Sequence, residues 1–337
     1  ILGGPGWTPS AADGVRGVRA RWSVPAATSV RAKDWLDNAH PLYAGDLGIG
    51  ADPKLVARVA ESDLLLVVGA RLDEMTTGGY ERIAVPLAAQ GLVHVYPDPD
   101  ELNRVTRADL ALCSDVAAFA AALAELSPDA PPVWTGEAQA ARAAYEAFVR
   151  PVAPPGAVNP SAIFAWLRER LPQDAILTNG AGNYAGWLHR FHLHRRLGTQ
   201  LAPQSGAMGY GFPAAIAAKL NAPGRIVIAN AGDGCFLMNG QEMATAVQYG
   251  AAVVVLVWDN GSYGTIRMHQ ERHYPGRVSG TDLRNPDFAA LARSYGAAGF
   301  TVTETAAFAP AFEAALASGG PALIHIVTDV EAITPAT

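Results

Sequence analysis

Two oxygen-bearing side chains 27 positions apart, Asp233 and Asn260, form the most chemically suggestive pair in this chain. Asp233 lies in Gly232-Asp233-Gly234, and Asn260 follows Asp259 just past the apolar run Ala251 to Trp258. A carboxylate, an amide oxygen and a few backbone carbonyls suit a hard cation such as Mg²⁺, which commonly also takes phosphate oxygens. Glycines on both sides of Asp233 let the backbone come close to an anionic ligand. A helix starting beyond them offers free N–H groups and the positive end of its dipole. Gly-Asp-Gly alone is also an ordinary turn, so its meaning depends on the elements around it.

Those elements read as strand, turn, helix, strand. Arg225 to Asn230 is an apolar strand running into Gly232, Asn239 to Tyr249 has helical character, and Ala251 to Trp258 is a second apolar strand. Near-continuous apolar runs of this length mark strands buried on both faces, as in a βαβ unit of a parallel sheet. In such sheets ligands sit at the carboxyl ends of the strands. If the two strands are neighbours, Asp233 and Asn260 converge on one point.

With this spacing and setting, the segment resembles the thiamine-diphosphate motif of the enzymes related to acetolactate synthase. The resemblance implies Mg²⁺ held by Asp233, Asn260 and the carbonyl of Ser262, and a diphosphate bordered by Gly232, Gly234, Cys235, Tyr263, Gly264 and Ile266. Relatives commonly carry Asn-Asn where this chain has Asp259-Asn260. Cys235 stands where the family often has Ser or Ala, and an inert buried thiol is expected there.

Two more glycine-rich turns complete the implied site. Gly180-Ala181-Gly182 follows the strand Ala175 to Thr178. Its spacing is GxGxxxG, through Gly186, and no acid sits about 20 residues on, which disfavours a dinucleotide fold. On position alone it is an anion-holding turn. By resemblance, Ala181, Gly182, Asn183 and Tyr184 hold the diphosphate. Gly206 to Gly211 precedes a helix with Pro213 in its first turn. A single Met is ordinarily a core gap-filler; in relatives the residue at Met208 lies under the bent cofactor, and the Gly206 carbonyl accepts from its aminopyrimidine. His269 and Gln270 stand where acetolactate synthases usually carry a Gln-Trp pair shaping the acceptor pocket, so the second substrate is left open. Residues 271–281 are charged and glycine-bearing, a lid or a solvated loop.

The bulk numbers agree with an enzyme of this kind. A length of 337 residues suggests about two domains. A net charge of −6 without a basic run argues against nucleic acid. Cys113 and Cys235 have no metal spacing and no disulfide framework. No apolar run is long enough to cross a membrane, and a reducing, cytoplasmic setting is expected.

The expected architecture is α/β, with two doubly wound parallel-sheet, three-layer domains. Residues 1–127 resemble the family's middle domain, through Gly69-Ala70-Arg71-Leu72-Asp73-Glu74 and Pro97-Asp98-Pro99. In acetolactate synthases that domain binds FAD, which would lie at Gly45 to Gly50 and Gly69 to Arg71. Within it, Val18 to Ala20 reads as strand, Pro41 to Ala51 and Ala70 to Tyr80 as loops, and Asp52 and Asp115 as helix caps. Residues 128–159, rich in proline around one Ala-rich helix, are expected as a linker. Residues 160–337 are the expected diphosphate-binding domain.

The opening Ile1-Leu2-Gly3-Gly4 looks like the tail of a first strand, as if from a longer chain. The family's pyrimidine-binding domain, whose glutamate activates the cofactor, has no counterpart here; the resemblance implies that a second subunit supplies it, in a homo-oligomer. The implied reaction is decarboxylation of a 2-oxo acid such as pyruvate, followed by carboligation to a second carbonyl. Alternatives are a simple decarboxylase or lyase on the same scaffold, or a cofactor-binding fragment without its own turnover.

Overall fold

Apolar runs set the strands of both halves of the chain. A computed structural model describes residues 1–335. It divides into one unit of Ile1–Arg150 with Leu193–Gly198, and a second of Pro151–His192 with the residues from Thr199 on.

The first unit has five short strands: β1 (Ala26–Thr28), β2 (Tyr43–Asp46), β3 (Leu64–Val68), β4 (Gly91–Tyr96) and β5 (Leu110–Cys113). β1 pairs with β2, and β3, β4 and β5 form a second ladder, all parallel. Leu2 bridges both Thr28 and Val68. Its N–H donates to the Ala27 carbonyl at 2.9 Å and its carbonyl accepts from Ser29 N–H at 2.8 Å, so it behaves as a strand residue between the two ladders. β2 lies inside the stretch expected as a glycine-rich loop, and Asp73 caps a single turn, Glu74–Thr77, in the other.

Val18 to Ala20 is helix, contrary to its reading as strand. The helix Pro9–Trp22 starts at Thr8, whose hydroxyl accepts the Ala11 N–H at 3.1 Å, with proline at its first position. Ala11, Ala12, Val15 and Val18 form its buried face at helical spacing. Asp52 and Asp115 cap the helices Pro53–Glu61 and Val116–Ala124; Asp115 Oδ1 accepts from Ala117 at 2.7 Å and Ala118 at 3.2 Å.

Thr135–Phe148, expected within the linker, is a helix of the first unit. Its small residues Ala138 and Ala141 are buried, and its Tyr145 ring meets Tyr43 of β2 edge-on at 4.9 Å. Prolines therefore flank a packed helix instead of a free connector. Residues 193–198 also join this unit: Asn38 N–H donates to the His194 carbonyl and Asn38 Oδ1 accepts from His194 N–H, both at 2.9 Å.

The second unit has six parallel strands, β6 (Ile176–Asn179), β7 (Gln200–Leu201), β8 (Val227–Gly232), β9 (Val254–Asp259), β10 (Ala298–Val302) and β11 (Ala322–Val327). Their order is β10-β11-β9-β8-β6-β7. Side chains alternate across this sheet. Val254, Leu256 and Trp258 enter one core with Phe164, Phe191 and Phe312, while Val255 and Val257 enter another with Phe212, Phe236 and Phe288. Helices thus cover both faces of one parallel sheet, the doubly wound three-layer α/β class. At roughly 1.5–3 kcal/mol for each large apolar side chain, these two cores fix the strand order. The segment expected as one helix from Asn239 to Tyr249 is a 3₁₀ turn, Gly240–Glu242, followed by the α-helix Met243–Gln248.

His94 on β4 gives the first unit a pH dependence. Its Nε2 donates to the Ala70 carbonyl at 2.8 Å, and burial lowers its pKa below the ordinary 6.5. Unfolded His94 therefore takes a proton that the folded ring resists. The contribution is fully present above pH ~6.5 and is lost as pH falls towards the lowered folded value. Urea unfolding at pH 7.5 and 5.0 should show a larger loss of midpoint for wild type than for His94→Gln, which keeps a donor but does not titrate. Equal losses would refute the assignment.

Candidate cofactor site

A cleft of about 280 Å³ opens at the carboxyl ends of β6, β8 and β9. β7 leaves β6 on one side while β8 takes the other, so the cleft includes the switch point where ligands of open α/β sheets bind. Every residue expected at the site lines it. Ala181, Gly182, Asn183 and Tyr184 come from the turn after β6, and Gly206 and Met208 from the loop before the helix Gly211–Asn221. Gly232, Asp233, Gly234 and Cys235 come from the end of β8, and Asn260, Ser262, Tyr263, Gly264 and Ile266 from the turn after β9.

Sequence reasoning missed other walls of the cleft: Pro160, Trp187, Trp258, Thr265, Thr328, Ala332 and Ile333. Thr328 directly follows β11, so the carboxyl-end rule could have found it. Nothing local marks Ala332 or Ile333. Thr265 locks two turns together: its hydroxyl accepts the Asn183 N–H and donates to Asn183 Oδ1, both at 2.9 Å.

β8 and β9 are adjacent and parallel, with Gly232 opposite Trp258. Their ends therefore deliver Asp233 and Asn260 to the same edge of the sheet. Asp233 is buried, and its Oδ1 accepts the Gly234 N–H at 2.8 Å. Asn260 Oδ1 accepts the Ser262 N–H at 3.1 Å, and the Ser262 carbonyl accepts the Gly264 N–H at 2.8 Å. Each of these oxygens keeps a lone pair. Among the described residues no three His, Cys, Asp or Glu side chains are placed to hold a metal ion together; the donors here are one carboxylate, one amide and one carbonyl.

Glycine is required where backbones meet. A Cβ on Gly211 would lie 2.8 Å from both Asn179 C and Gly180 N, and one on Gly180 would lie 2.4 Å from Cys235 Sγ. Cys235 is buried, and its sulfur accepts from the Tyr184 hydroxyl and the Gly209 N–H, both at 3.1 Å. The Tyr184 hydroxyl in turn accepts the Gly180 N–H at 3.0 Å. The thiol thus ties three of the site's turns together. Burial, and then the neighbouring Cys235, push the Tyr184 hydroxyl well above its ordinary pKa, so it stays a donor.

Behind the donors lies a group that sequence reasoning did not find. Asn285 Nδ2 donates to Asp233 Oδ2 at 2.8 Å and to Asp259 Oδ1 at 2.7 Å, and His325 Nε2 lies 2.7 Å from Asp259 Oδ2. Burial, assisted by the nearby Asp259 charge, pushes Asp233 up to about 6 despite the hydrogen bonds to it. Burial acts on Asp259 in the same direction, but hydrogen bonds from His325, Asn285 and the Gly261 N–H outweigh it and hold Asp259 below the ordinary carboxylate range.

His269 lies on the helix Gly264–His273, exposed, with its ring stacked on His273 at 6.3 Å. Residues 272–280 are exposed, and Gln270 anchors them by exchanging hydrogen bonds with the Ser279 backbone. In the first unit the Arg71 segment borders a pocket of about 20 Å³, where Arg71 pairs with Glu101.

The chain belongs to the thiamine pyrophosphate enzymes: residues 1–123 match their central domain, and residues 180–326 match "Thiamine pyrophosphate enzyme, C-terminal TPP binding domain". Its relatives carry one name in particular. An acetolactate synthase large subunit from Parasynechococcus marenigrum is 33% identical over 332 residues, which is 96% of this chain and 53% of the relative. The large subunit of acetolactate synthase isozyme 2 from Escherichia coli is 30% identical, over 97% of this chain and 59% of its own length. A probable acetolactate synthase large subunit from Methanocaldococcus jannaschii is 30% identical, over 91% of this chain and 53% of the relative. The chain thus spans between half and three-fifths of the length of these relatives. Among the described residues no helix is long and apolar enough to cross a membrane.

The Gly211 contact makes a stability test of the cleft. Gly211→Ala drives a methyl into the Asn179–Gly180 backbone and should cost about 1–3 kcal/mol in urea unfolding. Gly224→Ala, where the added carbon meets nothing within 4 Å, is the control. Equal behaviour of the two variants would refute the close approach.

Proposed function

We propose that this protein binds thiamine diphosphate through Mg²⁺ and, in its oligomer, acts as an acetolactate synthase-like carboligase. It decarboxylates a 2-oxo acid such as pyruvate and joins the remaining fragment to a second carbonyl. The observation that carries the proposal is the convergence of Asp233, Asn260 and Ser262 with three glycine turns on one cleft.

The residues present fit both groups. An all-oxygen set of one carboxylate, one amide and one carbonyl suits Mg²⁺, which completes its shell with phosphate oxygens and water. Cβ-free backbone at Gly182, Gly232, Gly234 and Gly264 suits a diphosphate. In this reading Asp233, Asn260 Oδ1 and the Ser262 carbonyl hold the metal, and Ala181 to Tyr184 with Cys235, Tyr263, Gly264 and Ile266 border the diphosphate. The Gly206 carbonyl accepts from the aminopyrimidine, and Met208, on an exposed stretch of loop, supports the cofactor from beneath. Bound thiamine diphosphate supplies the electron sink that carbanion chemistry at a carbonyl carbon needs. Trp187 and Trp258 give the cleft wall an apolar face.

Asp233 is the one acid among the described residues that line the cleft. By resemblance to the related enzymes, the glutamate that serves the pyrimidine ring is assigned to a second subunit, in at least a dimer. FAD at Gly45 to Gly50 and Gly69 to Arg71 belongs to the same resemblance, and the proposed reaction does not call on it. A simple decarboxylase is the second reading, since the departure from the family's Gln-Trp pair near His269 leaves the second substrate open. Product analysis separates the two: a 2-hydroxyketone for the carboligase, an aldehyde for the decarboxylase.

Calorimetric titration of thiamine diphosphate should show binding in Mg²⁺ that EDTA abolishes. Asp233→Ala should weaken it at least tenfold to about a hundredfold, the scale found even for residues behind a metal's own ligands. Binding indifferent to EDTA and to the variant would refute the metal anchor.

A further inference from the structure

Asn285 and Asp259 do not line the cleft, yet they are joined to its carboxylate. One nitrogen, Asn285 Nδ2, donates at 2.8 Å to Asp233 Oδ2 and at 2.7 Å to Asp259 Oδ1. His325 Nε2, 2.7 Å from Asp259 Oδ2, holds the far side of that second carboxylate. Asp233 Oδ1 is fixed by the Gly234 N–H at 2.8 Å. The Asn285 carbonyl oxygen is buried without a partner among the described residues, so both amide hydrogens and no acceptor function are in use. Two partly buried carboxylates this close repel one another, and a planar NH₂ is suited to separate them, since its two hydrogens diverge at a fixed angle.

We propose that Asn285 is a positioning residue for the metal site: it holds Asp233 in place against Asp259 and so keeps Asp233 free to ligate a divalent cation. This rests on the cofactor reading above. With Gly234 N–H on one oxygen and Asn285 on the other, the Asp233 carboxylate plane is fixed and each oxygen keeps a lone pair for a cation. Asp259 adds negative charge behind the site without lining the cleft. The amide makes that charge compatible with Asp233; without it, the two carboxylates face each other unscreened, and Asp233 turns away from the cleft.

The test uses Mn²⁺ in place of Mg²⁺, titrated into the protein at fixed thiamine diphosphate, with free Mn²⁺ read by electron paramagnetic resonance against a protein-free control. Asn285→Ala should weaken Mn²⁺ binding by about 10- to 100-fold, the scale of a lost hydrogen bond to a charged group. In an Asp259→Asn background the loss should be at least about threefold smaller, because the repulsion is already gone and only the hydrogen bond to Asp233 is removed. A residue that merely braces the segment 282–287 would lower the melting temperature equally in both backgrounds and leave Mn²⁺ affinity unchanged. Asn285→Asp, nearly isosteric, supplies the same readout if the alanine variant fails to fold, and should also lose at least tenfold, by placing a third carboxylate in the group. Wild-type protein that takes up no Mn²⁺ overturns the cofactor reading, and this inference with it. Wild-type uptake that Asn285→Ala leaves within about twofold, or that falls equally in both backgrounds, overturns the inference alone.

Discussion

The parallel pairing of β8 with β9 is the constraint on which the rest of the second unit depends. Ile228 faces Val254 and Gly232 faces Trp258, so both strands reach the same edge of the sheet in register. Alternate residues of each strand feed two different cores. A slip of one residue would swap every side chain to the wrong layer, and the cost of that exchange pins the register. The two strand ends then deliver Asp233 and Asn260 together with no further device. The spacing of 27 residues between them is the length of turn, crossover helix and strand needed to come back alongside. The motif is therefore a topological statement before it is a chemical one.

From that edge the site is assembled mainly by backbone approaching backbone. Gly211 rests against the Asn179–Gly180 peptide, and Gly180 rests against Cys235. Where the chains come this close there is no room for a Cβ, and several N–H groups of the turns are tied within the site, Gly180 to the Tyr184 hydroxyl, Gly209 to Cys235 and Asn183 to Thr265. Cys235 acts here as an acceptor of two hydrogen bonds, one from Tyr184 and one from Gly209. Sulfur is a weak acceptor, but its size spans contacts from three turns at once, a role that neither a nucleophile nor a disulfide partner would serve.

What could be read from the sequence was what is local. Asp52 and Asp115 announced their helices because a cap acts on N–H groups two or three residues ahead. The βαβ segment announced itself because apolar period and length are properties of one run. The helix Pro9–Trp22 was missed around Val18 because three residues were judged without the Thr8-Pro9 start that governs them. Thr135–Phe148 sat among prolines that obscured a packed face of small residues. The segment 193–198 and the Asn285–Asp259–His325 group depend on partners far along the chain, 156 residues away for His194 with Asn38 and 66 for His325 with Asp259. No window of sequence contains such a pair.

The least legible part of the site is also where its electrostatics are decided. A buried carboxylate is a charge held in an unfavourable medium, and burial pushes Asp233 up to about 6. Adding Asp259 beside it makes ionisation harder still, unless something separates the two. Asn285 does so with one amide, and His325 together with the Gly261 N–H holds Asp259 ionised. The pair therefore divides the labour. Asp259 has three donors and keeps its charge, while Asp233 has two donors and an open edge towards the cleft. A divalent cation at that edge would satisfy the carboxylate that the protein leaves under-compensated, so ligand binding and relief of buried charge become the same event.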